Sequence, residues 1–243
     1  MKPIIKIFDT LQLAAEALAG EFKSTAENIL KHQDMFNVAL AGGNTPRSFY
    51  SVLGKQLHEW RAWQNIHLFW GDERCVPPDD PQSNYLMARE SLIDKIKIPP
   101  KNIHRIHGES KPASEVTRYQ KEIMDTISLN DNGWPVFDWI LLGLGNDGHT
   151  ASIFPGKDPQ KNNHNICTVA EHPLTQQKRI SLTIPAINRA KKVIFLISGR
   201  SKAPIVQSII HKDKESIRFP ASQVEPLSGS LTWYLDKEAG NFL

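Results

Sequence analysis

Short apolar segments alternate with amphipathic segments along this 243-residue chain. The apolar segments are rich in β-branched residues and predict strands. Two runs within them, residues 139–142 and 193–197, are apolar at every position, which is typical of a parallel sheet covered by helices on both faces. The predicted strands are residues 4–8, 36–40, 66–70, 102–106, 137–142, 166–169, 179–184 and 193–197.

Between the strands, apolar residues recur every three or four positions, which predicts helices with one buried face. The clearest pattern runs from Leu11 to Leu30 and follows Thr10, a residue type that caps helix N-termini. Similar patterns cover residues 46–57, 83–96, 113–127 and 201–210. Neither an internal repeat nor a long linker interrupts the alternation. We therefore predict one α/β domain over residues 1–243, layered, with its chemistry in the loops at the strand ends.

The charge balance does not alter the predicted fold. Lys and Arg number 29 and Asp and Glu 26, a net charge of +3, and 40% of residues are hydrophobic. The lysines are scattered or paired with acids, so we expect neither a nucleic-acid nor a membrane partner. Cys75 and Cys167 lie too far apart in sequence to suggest a disulfide framework or a cysteine zinc site. Charged residues interrupt the N-terminal segment, which therefore does not resemble a signal peptide, and we expect a cytoplasmic protein.

Three loops after predicted strands carry unusual residues, and ligands of open α/β sheets bind at such strand ends. The first loop, residues 41–46, reads Ala-Gly-Gly-Asn-Thr-Pro. Gly42 and Gly43 would let backbone N–H groups approach a ligand, and Asn44 and Thr45 follow at a helix N-terminus, so the loop predicts a phosphate cradle. A tight turn with nothing bound is the alternative. A nucleotide P-loop is excluded, because no Gly-Lys-Ser/Thr follows.

The second loop, residues 70–77, reads Trp-Gly-Asp-Glu-Arg-Cys-Val-Pro. Asp72, Glu73 and Arg74 emerge from a buried strand rather than from a helix face, which indicates a polar site. The planar guanidinium of Arg74 matches phosphate or carboxylate oxygens. The alternative is an Asp/Arg pair that only locks the loop.

The third loop, residues 142–156, contains a Gly-x-Gly-x-x-Gly spacing formed by Gly143, Gly145 and Gly148. This spacing is the dinucleotide-binding fingerprint only if a long helix follows the third glycine. Pro155 stands seven positions later and leaves room for a turn or two. We therefore interpret the glycines as a bend that leaves space for a substrate.

The same loop places Asp147 two residues before His149, and an aspartate can orient an imidazole for general acid–base catalysis. A structural role for this histidine is the alternative. Two further cations complete an anion site. Arg179 opens a predicted strand, and Lys202 stands at the entry to a helix, whereas Arg200 could equally face solvent.

Taken in order, these motifs resemble the 6-phosphogluconolactonase family over nearly the whole chain. The resemblance rests on residues 42–46, 70–77, 83–84 and 143–156, on the segments around Arg179 and Lys202, and on Trp-Tyr-Leu-Asp at 233–236. It implies a glucosamine-6-phosphate deaminase-like fold, a three-layer sandwich around a mostly parallel, modified Rossmann-type sheet. It also implies hydrolysis of 6-phospho-D-glucono-1,5-lactone in the pentose phosphate pathway, with neither a metal nor another cofactor.

The resemblance further implies roles for individual residues. His149 is the expected acid–base group, oriented by Asp147, and Arg74 is expected to contact the phosphate or the sugar. The remaining expected substrate-binding residues are Gly42, Gly43, Asn44, Thr45, Asp72, Arg179 and Lys202, most of them on the phosphate. Asn44 is a departure, since many members of the family carry serine there, but an amide still donates a hydrogen bond.

Two other functions stay open at this point. An amino-sugar-phosphate isomerase or deaminase would share the Asp-Gly-His segment, but such relatives carry a carboxylate shortly after it, and residues 150–156 contain none. A non-catalytic sugar-phosphate sensor is the second alternative, although this chain has no separate DNA-binding segment. The sequence leaves open whether the protein is a monomer or a small homo-oligomer.

Overall fold

The computed structural model describes residues 2–156 and 164–243, and its centre is a seven-stranded parallel sheet. The strand order is β1-β10-β9-β6-β2-β3-β5. These strands are β1 (Ile4–Phe8), β2 (Phe36–Leu40), β3 (Ile66–Trp70), β5 (Ile103–His104), β6 (Trp139–Leu142), β9 (Lys192–Ile197) and β10 (Ser230–Asp236). The first three match their predicted bounds, whereas β10 was not among the predicted strands.

A second, three-stranded antiparallel sheet lies beside the first, with the order β4-β8-β7. It consists of β4 (Asp72–Arg74), β7 (Cys167–Glu171) and β8 (Lys178–Leu182). The sequence did not predict β4, because three consecutive charged residues lack the apolar pattern of a strand. The predicted strand 179–184 ends at Leu182, since the Thr183 hydroxyl caps the next helix by accepting from the Ala186 N–H.

Six α-helices connect the strands of the described residues. They are α1 (Leu11–Ile29), α2 (Asn44–Gln56), α3 (Asn84–Ser91), α4 (Pro112–Thr126), α5 (Ile184–Ile187) and α6 (Ala203–His211). Thr10 is the predicted N-cap, and its hydroxyl accepts from the Leu13 N–H at 3.2 Å. The predicted helix 83–96 is too long, because α3 ends at Ser91 and a separate 3-10 turn follows at Ile93–Lys95. Within 2–156 and 164–243, no helix is both long and apolar enough to cross a bilayer.

The central strands are buried on both faces, as their continuous apolar runs predicted. Every residue of β2 and of β6 is buried. Phe22 of α1 packs edge-on against Phe36, Phe49 and Trp139, with ring centroids 5.5 to 6.0 Å apart. Burying a large apolar side chain stabilises the fold by about 1.5–3 kcal/mol. The predicted α/β layered fold is thus confirmed, and its rigid sheet provides a platform for the loops at the strand ends.

A histidine pair lies at the edge of the sheet where β3 meets β5. His67 Nδ1 and His104 Nε2 are 2.9 Å apart, and His104 Nδ1 lies 2.8 Å from Glu122 Oε1. Because a carboxylate only accepts, His104 carries a hydrogen on Nδ1 and meets His67 through Nε2. Burial first, and then the charges of His104 and Lys101, lower the pKa of His67 to about 4.

We expect the free energy of unfolding to fall as the pH drops from about 6.5 towards about 4. In this window the unfolded chain binds a proton at residue 67, near the ordinary histidine pKa of about 6.5, whereas the folded chain binds it only near pH 4. Protons therefore favour the unfolded state. Urea unfolding of the wild type and of His67→Gln at several pH values tests this, and the variant should lose less stability on acidification. Identical pH dependence in both proteins would show that His67 is not responsible.

Candidate active site

A cavity of about 260 Å³ opens at the carboxyl edge of the parallel sheet. The loops that follow β2, β3, β6 and β9 form its walls, because the carboxyl ends of neighbouring parallel strands meet at one edge. The cavity brings together all of the predicted substrate-binding residues and His149. Those substrate-binding residues are Gly42, Gly43, Asn44, Thr45, Asp72, Arg74, Arg179 and Lys202.

The glycine-rich loop after β2 leads directly into α2. A Cβ atom on Gly42 would lie 2.0 Å from Asn84 Oδ1, and Gly43 caps the helix with a φ of 98°, so side chains are disfavoured at both positions. The helix begins at Asn44, two residues before the predicted start. Because first-turn amides have no acceptor within a helix, the N–H groups of Asn44 and Thr45 are available to an anion.

The three charged residues after β3 separate into different roles. Glu73 is 2% exposed, and its carboxylate accepts from the backbone N–H groups of Asn84 and Tyr85, both at 2.7 Å, and from the Ser83 hydroxyl. It therefore fixes the start of α3 and does not line the cavity. Burial raises the pKa of Glu73, although these N–H groups oppose the shift. The loop lock foreseen as an alternative thus exists, but Glu73 forms it rather than an Asp/Arg pair.

Asp72 is buried beneath the cavity and links two of its loops. Its Oδ2 accepts from the Ser152 hydroxyl at 2.6 Å, and the Asn84 amide donates to its backbone carbonyl at 2.8 Å. Sequence reasoning assigned no role to Ser152 or Asn84. Both residues lie in segments that carry the family resemblance. That resemblance was the sequence signal that could have identified them.

The third loop holds a histidine against an aspartate. His149 Nδ1 lies 2.5 Å from Asp147 Oδ1, which also accepts from the His149 backbone N–H at 3.2 Å. A Cβ on Gly145 would lie 2.1 Å from His149 Nδ1, so the glycine makes room for the imidazole. No helix follows Gly148 before the described segment ends at residue 156, and the dinucleotide fingerprint is therefore a chance match.

The contact with Asp147 decides which imidazole nitrogen is free. Since the carboxylate accepts, Nδ1 carries the hydrogen, and Nε2 of the neutral ring can accept a proton. Partial burial acts to raise the pKa of Asp147, but the charge and hydrogen bonds of His149 outweigh it and lower that pKa. The Phe154 ring, 5.0 Å from the imidazole, packs against it. The pair has the geometry of an oriented general base.

Three cations line the same cavity. Arg74 and Arg179 lie opposite each other in the β4–β8 ladder. The Lys202 ammonium donates to Asn146 Oδ1 at 2.5 Å, and burial lowers the pKa of this lysine, with Asp147 opposing the shift. Lys202 precedes α6, as predicted, and the neighbouring Arg200 is exposed.

Asp236, at the end of β10, supports the lysine loop in a way that the sequence did not reveal. Its carboxylate accepts from the Ser198 hydroxyl and from the Gly199 N–H. These hydrogen bonds fix the turn that leads to Lys202.

In the described part of the chain, no three His, Cys, Asp or Glu side chains cluster closely enough to hold a metal ion.

The fold and the cavity together define an α/β protein with a cationic cleft at the carboxyl edge of its sheet, where His149, held by Asp147, lines the same space as three cations and the start of α2. The chain belongs to the family described as glucosamine-6-phosphate isomerases/6-phosphogluconolactonase, whose model matches residues 9–233.

Individual relatives agree over nearly the full length. The chain is 41% identical to a 6-phosphogluconolactonase from Haemophilus influenzae, over 97% of this chain and 98% of the relative. A solved structure of 6-phosphogluconolactonase from Trypanosoma brucei is 32% identical, with a TM-score of 0.88 over 100% of this chain and 99% of that one. A monomeric glucosamine-6-phosphate deaminase is 25% identical, with a TM-score of 0.80 and complete coverage of both chains.

Proposed function

We propose that this protein hydrolyses 6-phospho-D-glucono-1,5-lactone to 6-phospho-D-gluconate, the lactonase step of the pentose phosphate pathway. The observation that carries the proposal is the shared cavity. The imidazole of His149 faces the same space as three cations and a helix N-terminus. Such a space suits a substrate with a phosphate at one end and an electrophilic carbon at the other.

In this mechanism, the lactone carbonyl is already electrophilic, and no covalent nucleophile is needed. His149 Nε2 takes a proton from water while the water oxygen bonds to C1. The bond from C1 to the ring oxygen then breaks, and the imidazolium returns the proton to that oxygen. The new carboxylic acid ionises and releases one proton. Asp147 stabilises the imidazolium between the two transfers.

The phosphate provides the anchor that places C1 near His149. We assign it to the amides at the start of α2 together with Arg179 and Lys202, while Arg74 contacts the phosphate or the sugar. Asp72 completes the set as a binding residue beneath the cavity. Holding the substrate at a fixed distance from the base contributes further to the rate, because it replaces a chance encounter with a fixed geometry.

The direct test measures acid release from freshly prepared 6-phosphogluconolactone, with the spontaneous rate subtracted. If the proposal is correct, the protein accelerates acid release from the lactone and releases no ammonia from glucosamine 6-phosphate. Ammonia release without lactone hydrolysis would favour the deaminase alternative, and binding of sugar phosphates with neither reaction would favour a sensor. Cys75 and Cys167 are free, which supports a further proposal, that the enzyme is cytoplasmic. Its oligomeric state, a monomer or a small homo-oligomer, stays a prediction.

We expect activity to survive metal removal. The proposed steps use an imidazole, water and the electrophilic lactone carbon, and none of them requires a Lewis acid. Dialysis against EDTA and then assay in metal-free buffer should leave kcat unchanged within about twofold. Loss of activity that one particular divalent ion restores would contradict the prediction.

A further inference from the structure

The arginine pair at the cavity is unfavourable for stability. Arg74 lies directly opposite Arg179 in the β4–β8 ladder, and like charges in that position repel. Burial first, and then the charge of Arg74, lower the pKa of Arg179. Each guanidinium also buries an Nε–H group that has no acceptor among the described residues. The arrangement is therefore better explained by an anionic ligand than by the stability of the fold.

Four other arginines form salt bridges with carboxylates, namely Arg89, Arg105, Arg118 and Arg218. Arg105 forms a two-point salt bridge with Glu109, for example, through both terminal nitrogens. Over residues 2–156 and 164–243, neither Arg74 nor Arg179 forms a salt bridge, and the groups that accept from them are uncharged. The charges of Asp72 and Glu73 act on Arg179 and oppose the lowering of its pKa, but in the described residues no carboxylate bonds to either guanidinium, and both remain available to an anion in the cavity.

Two glutamines hold the pair in place. Arg74 Nη1 donates to the backbone carbonyl of Gln82, and Arg179 Nη2 donates to Gln177 Oε1 at 3.4 Å. Gln177 Nε2 in turn donates to Gln82 Oε1 at 2.9 Å. Because a guanidinium only donates, the Gln177 amide must present its oxygen to Arg179 and its nitrogen to Gln82. We call these two residues, Gln82 with its backbone carbonyl and Gln177 with its side-chain amide, the glutamine clasp.

We propose that the glutamine clasp positions both guanidinium groups for the phosphate of the substrate, which places Arg74 on the phosphate rather than on the sugar. The clasp links the loop after β4 to the β7–β8 hairpin, so it fixes the two arginines from two independent segments. Its acceptors are a backbone carbonyl and a side-chain amide, which orient a guanidinium without cancelling its charge. A carboxylate in the same place would compete with the phosphate. The inference rests on the proposed function in one respect: it takes the anion bound by the two arginines to be the phosphate of a sugar phosphate.

Gln177→Glu is the sharpest test, because it keeps the size of the side chain and adds the competing charge. We expect KM for the phosphorylated lactone and Kd for inorganic phosphate to rise roughly tenfold or more, while kcat changes less than about threefold. Gln177→Leu removes the hydrogen bonds without adding charge, and both constants should rise roughly two- to tenfold. Thermal unfolding of each variant establishes that it is folded.

Gln176→Glu is the matched control, since it adds the same charge one position away on the same exposed turn. It should change KM and phosphate affinity less than about twofold. The clasp is contradicted if Gln177→Glu binds phosphate as the wild type does, or if both glutamates weaken binding equally. It is also contradicted if the wild type binds no phosphate. Calorimetric titration with phosphate requires no turnover. A wild type that binds phosphate but hydrolyses no lactone would therefore overturn the proposed function, while the effect of the clasp on phosphate affinity could still be measured.

Discussion

His149→Ala should lower kcat by roughly 10²–10⁴-fold, the usual contribution of one general base. The physical reason is that water attacking C1 must lose a proton. His149 Nε2 is the acceptor that the Asp147 contact leaves free. Because the proposed phosphate site lies elsewhere in the cavity, the affinity for 6-phosphogluconate should stay within a few-fold of the wild type. Steady-state kinetics and calorimetric titration with the product measure the two effects separately.

His172→Ala provides the matched control for this experiment. Its ring packs edge-on against Phe154, with ring centroids 5.1 Å apart, and its Nδ1 accepts from the backbone N–H groups of Leu174 and Thr175 rather than bonding to Asp147. It should retain nearly full kcat. A folded His149→Ala variant that keeps wild-type kcat would show that another group is the base. Asp72 would then be the candidate to examine, because Glu73 is committed to the start of α3 and lies outside the cavity.

Arg179→Ala and Lys202→Ala should each raise KM for the phosphorylated lactone by roughly 10- to 150-fold. A hydrogen bond to a charged group contributes about 1.5–3 kcal/mol, and each factor of ten in affinity corresponds to about 1.4 kcal/mol. Because the proposal assigns these groups to the phosphate and not to C1, kcat should change much less than KM. Initial rates over a range of lactone concentrations distinguish the two constants.

Arg200→Ala removes a cation two residues from Lys202, and this exposed side chain makes it a suitable control. Its KM should match that of the wild type. If Arg200→Ala and Lys202→Ala raise KM equally, the effect is one of general surface charge, and the assignment of Lys202 to the phosphate fails.

The sequence predicted the structure best where a single physical effect, such as the burial of a strand on both faces, determines it. Strands β2 and β3 have the predicted bounds because all but one position of each is apolar, as expected of strands that helices cover on both faces; the exceptions are Asn37 and His67. The grouping of the predicted site residues follows from topology, since the loops after parallel strands meet at one edge. This is why residues as distant in sequence as Gly43 and Lys202 were correctly expected to share a cavity.

The sequence was least informative where pairing with distant residues decides the structure. β4 consists of three charged residues and is a strand only because it pairs with β8. β10 mixes polar and apolar residues, and its neighbours in the sheet, β1 and β9, bury it. The roles of Glu73 and of the glutamine clasp depend on side-chain contacts between loops, for which local patterns carry no signal.

The most direct test of the account compares kcat/KM of the wild type for 6-phosphogluconolactone and for unphosphorylated gluconolactone. In the proposed function, the protein hydrolyses a lactone and recognises its phosphate in one cavity. The ratio should therefore be on the order of 100 or more in favour of the phosphorylated lactone, as expected when more than one charged hydrogen bond is lost. Equal values for the two lactones, or no catalysed hydrolysis of either, would contradict it.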